Sequence, residues 1–186
     1  MKVKISSRTG KSKGETNTMR RAGNIPAVIY HTGEAGEMIC VDGAEFQKAM
    51  KNVKPGHLPT TVFFLTGENG KERKAIIKEI QYKPTDYAIL HIDFMALVAG
   101  NEVSVKIPIE LTGTVSCAGV KEGGVIRQVI RHLPVKCDAG KIPEQFTMDV
   151  QDLHMKQSKR LSSITIPAGV RPLTDTHEVA VTIAKR

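Results

Sequence analysis

The sequence predicts a mainly β protein of the α+β class: a small closed or nearly closed antiparallel barrel, followed by a second strand-rich domain. Three observations predict it. Roughly the first 95 residues hold about six extended apolar runs and two helix patterns, a spacing that suits a small barrel. Beyond Asn101 the chain is strand-rich, with scattered prolines and glycines. Hydrophobic residues make up 40% of the 186 positions, enough for real cores and too many for a globally disordered chain.

Lys2–Ser6 alternates, with Val3 and Ile5 on one face, and reads as a half-buried strand. Arg8–Thr18 reads as a basic loop. Thr16, Asn17 and Thr18 are candidate N-caps for a short helix over Met19–Ala22, stopped by Gly23. Ile25–Pro26 forces an extended chain, so Pro26–Tyr30 is a strand. Met38–Val41 is a short strand, and Asp42 can cap a helix over 43–52 whose apolar stripe is Phe46, Ala49 and Met50. Thr60–Thr66 is a strand, and Asn69–Gly70 signals a hairpin. The return strand is Glu72–Tyr82, where the consecutive Ala75, Ile76 and Ile77 imply a bulge or burial on both faces. Lys83–Asp86 is a turn and Ala88–Phe94 a strand.

The boundary falls near Met95–Gly100 and divides the chain into 1–96 and 97–186. Glu102–Leu111 is the cleanest alternating strand of the second part. Gly113–Gly124 reads as a loop, Val125–Cys137 as one long or two short strands, and Ile142–Phe146 as a turn or short helix. Phe146–Val150, Leu161–Ile166 and Glu178–Ala184 are extended, with a loop at Gly169–Thr174.

The formal net charge is +8, and it is uneven. Residues 1–21 carry Lys2, Lys4, Arg8, Lys11, Lys13, Arg20 and Arg21 against Glu15, seven cations less one acid, or +6 of the total. A cationic stretch tied to a core strand suits a polyanion. It could also be an ordinary solvated loop. Aromatic content is only 4%, with no Trp, which disfavours a platform for stacking successive bases and favours backbone and groove contacts.

Catalytic signatures are missing: no GxSxG, no HExxH, no Walker loop. Gly119–Gly124 is glycine-rich but lacks the GK[ST] ending of a phosphate loop. Cys40, Cys117 and Cys137 are far apart and form no CxxC, so neither a zinc site nor any other metal or cofactor is expected. Their context reads as small core hydrophobes in a reducing cytosol. A hydrolase using Cys117 or Cys137 with a histidine is the weakest alternative. No secretory signal pattern and no bilayer-length apolar run is read, so no membrane partner is expected. In Leu90–His91–Ile92–Asp93–Phe94, strand alternation puts His91 and Asp93 on one face and Ile92 and Phe94 on the other. Asp93 could then orient the imidazole toward a nucleic-acid acceptor. On strand pattern alone, two polar surface residues on a half-exposed strand is the simpler reading.

Several segments together carry a resemblance. Arg8-x-x-Lys11, Met19–Tyr30 (MRRAGNIPAVIY), Lys78–Pro84 (KEIQYKP), Leu90–Phe94 (LHIDF), Pro108–Gly113 (PIELTG) and Gly119–Val125 (GVKEGGV) lie in this order over nearly the whole chain. They resemble the bacterial 5S-rRNA-binding family of the large ribosomal subunit, ribosomal protein twenty-five in its two-domain form (the general stress protein Ctc type). The resemblance implies an N-terminal six-stranded antiparallel barrel with two or three short helices over 1–96, and a mainly β C-terminal domain over 97–186. It implies a non-enzymatic protein, cytoplasmic and ribosome-associated, monomeric when free and without a small-molecule substrate. Its barrel would bind the loop E region of 5S rRNA through the minor groove, and its second domain would touch neighbouring subunit proteins or rRNA. The implied RNA-facing residues are Arg8, Lys13, Thr16, Arg20, Tyr30, Lys78, His91 and Asp93, with Lys11 and Arg21 completing the basic set. Cations neutralise phosphates, while hydroxyls, His and Asp can read 2′-hydroxyls and base edges in a shallow groove. The chain departs from the family pattern at Gly14–Thr18, where Asn17 stands in place of a common arginine, and at His31 and Tyr82. The alternatives are an RNA-binding stress paralogue acting off the ribosome and a barrel of the anticodon-recognition kind.

Overall fold

The computed structural model describes residues 1–8, 12–31, 35–67 and 70–185. Two compact units divide the chain, Met1–Asn101 and Glu102–Arg186.

The first unit opens with β1 (Lys2–Ser7), which alternates as its pattern predicts: Val3 and Ile5 are buried, Lys2 and Lys4 exposed. Next comes α1 (Lys13–Arg21), capped by Ser12, whose Oγ accepts from the Glu15 N–H at 3.2 Å. This corrects the reading of Arg8–Thr18 as a loop and of Thr16, Asn17 and Thr18 as caps. Those three lie inside the helix, and the Thr16 and Thr18 hydroxyls donate back to the Ser12 and Gly14 carbonyls at 2.9 and 3.1 Å. Glu15 in the first turn and Arg20 and Arg21 in the last match the helix dipole. No residue of α1 is buried and only Thr16, Met19 and Arg20 are half-buried, so its cap and its polar ties matter more than packing.

Gly23, at φ +83°, turns the chain out of α1 into β2 (Asn24–Tyr30). Then come β3 (Glu37–Asp42) and α2 (Gly43–Lys51), with Asp42 capping through bonds from the Ala44 and Glu45 amides. Leu58–Thr60 is a 3-10 turn, so the strand expected from Thr60 starts two residues later. The turn leads to β4 (Val62–Thr66), β5 (Glu72–Tyr82) and β6 (Ile89–Ala96). Of the expected hairpin signal, Asn69 lies outside the described residues, and Gly70 has φ +69°. The anticipated irregularity in β5 is present: Ala75, Ile76 and Ile77 are all buried, and the register shifts between Ile77 and Glu79.

The six strands close into a barrel in the order β1-β3-β2-β6-β5-β4. It is not purely antiparallel, since β1–β4 and β2–β6 are parallel. The connections dictate this. α1 carries the chain over β3, so β1 and β2 flank β3 and run the same way. A ring of six strands can close with an even number of parallel junctions, here two. Inside, Phe46 of α2, Phe63 of β4 and Phe94 of β6 meet with ring centroids 6.1–6.4 Å apart, all three fully buried. Each such pair adds about 1 kcal/mol beyond its buried area.

The second unit holds two sheets, ordered β10-β7-β9-β12 and β11-β13-β8. Its strands are β7 (Glu102–Thr112), β8 (Gly124–Gln128), β9 (His132–Asp138), β10 (Phe146–Asp149), β11 (Ser158–Arg160), β12 (Arg171–Pro172) and β13 (Val179–Lys185). Val125–Cys137 is therefore two strands. Leu161–Ser163 is a 3-10 turn where an extended run was expected. The glycine-bearing loop contains α3 (Ala118–Lys121). A Cβ on Gly119 or Gly124 would lie 2.7 or 2.6 Å from Ile183, so these glycines serve close packing rather than a phosphate cradle.

Candidate nucleic-acid interface

Register places one row of side chains across the outer wall of the barrel. The Arg8 N–H donates to the Met38 carbonyl, Met38 pairs with Val28, Val28 with Asp93, and Asp93 with Glu79. Their chain neighbours Ile39, Ala27, Ile29, Ile92 and Phe94 are buried inside, so alternation turns the row outward. Arg8 and Asp93 are three strand spacings apart, on the order of 15 Å.

At the centre His91 Nδ1 lies 2.6 Å from Asp93 Oδ1, with both side chains partly exposed. Backing Asp93 onto the imidazole fixes which ring nitrogen faces outward. Gln81 stands opposite His91 on β5. Tyr30 ends β2 next to this pair. Its hydroxyl is held above the ordinary value of 10.0, first by burial and then by the Asp93 and Glu79 carboxylates. The folded-state pKa thus lies above the unfolded one, so stability is unaffected below about pH 10 and falls as pH rises through the raised value. Alkaline ultraviolet titration should show a phenolic transition above 10 that Tyr30→Phe removes. At neutral pH Tyr30 keeps its proton and can donate.

α1 docks beside the wall through Arg20. Its Nε and Nη2 both donate to the Leu90 carbonyl, at 3.2 and 3.0 Å, and Nη1 donates to Asn17 Oδ1 at 3.2 Å. The guanidinium expected on RNA is therefore engaged with the residue before His91. Lys13 and Arg21, at the two ends of α1, are exposed. Thr16 lies on the helix with its hydroxyl turned to Ser12. Arg8 sits over Cys40, where its charge opposes the burial that pushes that thiol up. Arg8 Nε is buried with no hydrogen-bond partner among the described residues. Lys78 is exposed at the β5 irregularity. Lys11 lies outside the described residues.

The structure thus brings Arg8, Tyr30, His91 and Asp93 to one wall, with Arg20 and α1 at its margin. Sequence reasoning missed Glu79 as a neighbour of Asp93 and Tyr30, Asn17 as a partner of Arg20, and Ser12 as the cap. The last was detectable, because Ser12-x-x-Glu15 has the spacing of a capping box.

All three cysteines are buried, and burial pushes the Cys40 and Cys137 thiols up. The Cys117 thiol donates to the Leu153 carbonyl at 3.4 Å. No group of three or more His, Cys, Asp or Glu among the described residues could hold a metal ion. Among the same residues no helix is long and apolar enough to cross a membrane.

The chain is thus a closed β-barrel unit followed by a second, β-rich unit. Family models match both units: residues 3–94 match the Ribosomal L25p family, and residues 102–186 match the Ribosomal protein TL5, C-terminal domain. Over all 186 residues, and the full length of each relative, the chain is 44% identical to the large ribosomal subunit protein bL25 of Chlamydia trachomatis serovar D. Identity over the same span is 42% with bL25 of Chlamydia abortus and 40% with that of Chlamydia pneumoniae. The chain belongs to the ribosomal L25p family, a family of structural ribosomal proteins rather than enzymes.

Proposed function

We propose that this protein is a constituent of the large ribosomal subunit, working in the cytoplasm, whose barrel unit docks on 5S rRNA. The outer wall of β2 and β6, with the His91–Asp93 pair and Tyr30 at its centre, faces the minor groove at loop E. α1 and Arg8 reach the flanking phosphates. The C-terminal unit contacts neighbouring subunit proteins or rRNA. The observation that carries this reading is the outward row from Arg8 to Asp93, which sets a cation and a His–Asp pair on one wall, three strands apart. Such a wall fits the wide, shallow minor groove of RNA, where 2′-hydroxyls and base edges are displayed.

A titration of the full chain with 5S rRNA and with an unrelated RNA duplex, each over a range of salt, tests it. Saturable binding that prefers 5S rRNA is the expected result. Equal binding to both RNAs contradicts it. Arg21→Gln should make the salt slope shallower by about 0.7–0.9, the loss of one phosphate contact, without moving the melting temperature.

The family pattern thins at Asn17, and Arg20 is engaged with Leu90. Both favour a second reading, a stress paralogue that leaves the ribosome. Co-sedimentation with large-subunit particles separates the two.

A further inference from the structure

The β5–β6 hairpin carries a feature that folding does not explain. Tyr87 is 78% exposed, and Tyr82 on the same hairpin is 45% exposed; no other aromatic among the described residues is classed as exposed. Tyr87 also has φ +54°, the left-handed region, which among described non-glycine residues is shared only by Lys156. A tyrosine there is strained, and a solvent-facing turn would ordinarily use Gly or Asn.

The turn nonetheless holds this conformation firmly. The Lys83 N–H donates to the Ala88 carbonyl at 2.8 Å, and the Tyr87 N–H donates to the Lys83 carbonyl at 2.9 Å. Asp86 accepts from the Ala88 N–H at 3.3 Å and from Lys83 Nζ at 3.1 Å. The turn thus leaves a large ring in water, where it buries almost nothing.

The surroundings indicate what the ring meets. Lys83 and Asp86 share a groove of about 620 Å³ with Asn17, Arg20 and Arg21, the C-terminal half of α1. Tyr82 pairs with Ile89, two residues before His91, so the tip continues the strand pair that carries the His91–Asp93 wall. Tyr87 does not line that groove itself, but its chain neighbours Asp86 and Ala88 do, and an exposed ring at the rim of a groove that holds cations suits base stacking combined with phosphate contact.

We propose that the hairpin tip is a second RNA-contact site, at which Tyr87 stacks on an unpaired base while Lys83 and Arg21 meet the adjoining backbone. This site rests on the 5S rRNA reading and extends that interface beyond the groove. Tyr87 acts by its ring and not by charge.

Two variants of the full chain test it. Tyr87→Asn should lower 5S rRNA affinity by about five- to a hundredfold, the range one base–aromatic stack supplies. Its salt slope should stay unchanged and its melting temperature should rise, because Asn accepts the left-handed backbone. Tyr87→Trp places the sole indole in a chain that has no Trp, and its emission should be quenched when 5S rRNA saturates the protein. Wild-type affinity in the Asn variant, or unchanged indole emission at saturation, overturns the proposal. So does a lowered melting temperature, which would make the ring structural. Unchanged 5S affinity with impaired entry into large-subunit particles would assign the tip to a protein neighbour and also overturns it. If the wild-type chain does not bind 5S rRNA at all, the functional reading fails first and this site falls with it.

Discussion

Gly43→Ala is expected to destabilise the barrel unit by about 3 kcal/mol, the upper part of the range for overpacking. A Cβ on Gly43 would lie 2.3 Å from the Gly23 carbonyl oxygen and 3.4 Å from its carbon. The obstacle is backbone, so no rotamer can relieve it. Gly43 opens α2, and its N–H donates to that same oxygen at 3.2 Å. Gly23 in turn ends α1 with φ +83°. Any relaxation must therefore part α2 from the α1–β2 junction, disturbing at once the helix that supplies Phe46 to the core and the helix that borders the outer wall at His91–Asp93. Gly14→Ala is the matched control. A Cβ there meets nothing within 4 Å, and Ala is the better helix former by about 1 kcal/mol. Thermal denaturation should move the two variants in opposite directions.

Arg20→Ala is expected to lower both stability and 5S rRNA affinity while leaving the salt slope of binding unchanged. Two guanidinium donors on the Leu90 carbonyl form the tie between α1 and β6, and a charged hydrogen bond contributes roughly 2 kcal/mol. α1 buries no residue of its own, so losing that tie frees it. Arg20→Lys should not rescue, because an ammonium lacks the fork that spans these partners. Were the guanidinium on a phosphate instead, the slope would drop by about 0.7–0.9 and the melting temperature would stay.

Most of the barrel was legible because its strands alternate and its second helix carries both a cap and an apolar stripe. Asp42 before Gly43, and Phe46 with Ala49, are local signals that the tertiary structure keeps. His91 and Asp93 were placed on one outward face by strand period alone, and the structure confirms the face. α1 was half hidden. It has no buried face, so no hydrophobic period announced it, and Gly14, Thr16 and Thr18 read as loop. Two other facts are not local at all. The parallel pairing of β2 with β6, which sets Val28 beside Asp93, depends on barrel closure. Arg20 meeting Leu90 joins positions 70 residues apart. A cation's charge is visible in sequence, but its partner is not. Tyr87 could not be singled out, since neither its exposure nor its positive φ has a sequence signature.

If α1 and the outer wall at His91–Asp93 face RNA, bound RNA must shield their backbone. Backbone hydrogen exchange of the full chain, with and without saturating 5S rRNA, tests it most directly. Exchange should slow over α1 and over the paired stretches of β5 and β6 around Gln81 and His91, with the amides of β1 and β4 unchanged. Protection confined to Glu102–Lys185, or spread evenly over the basic surface of both units, would contradict it.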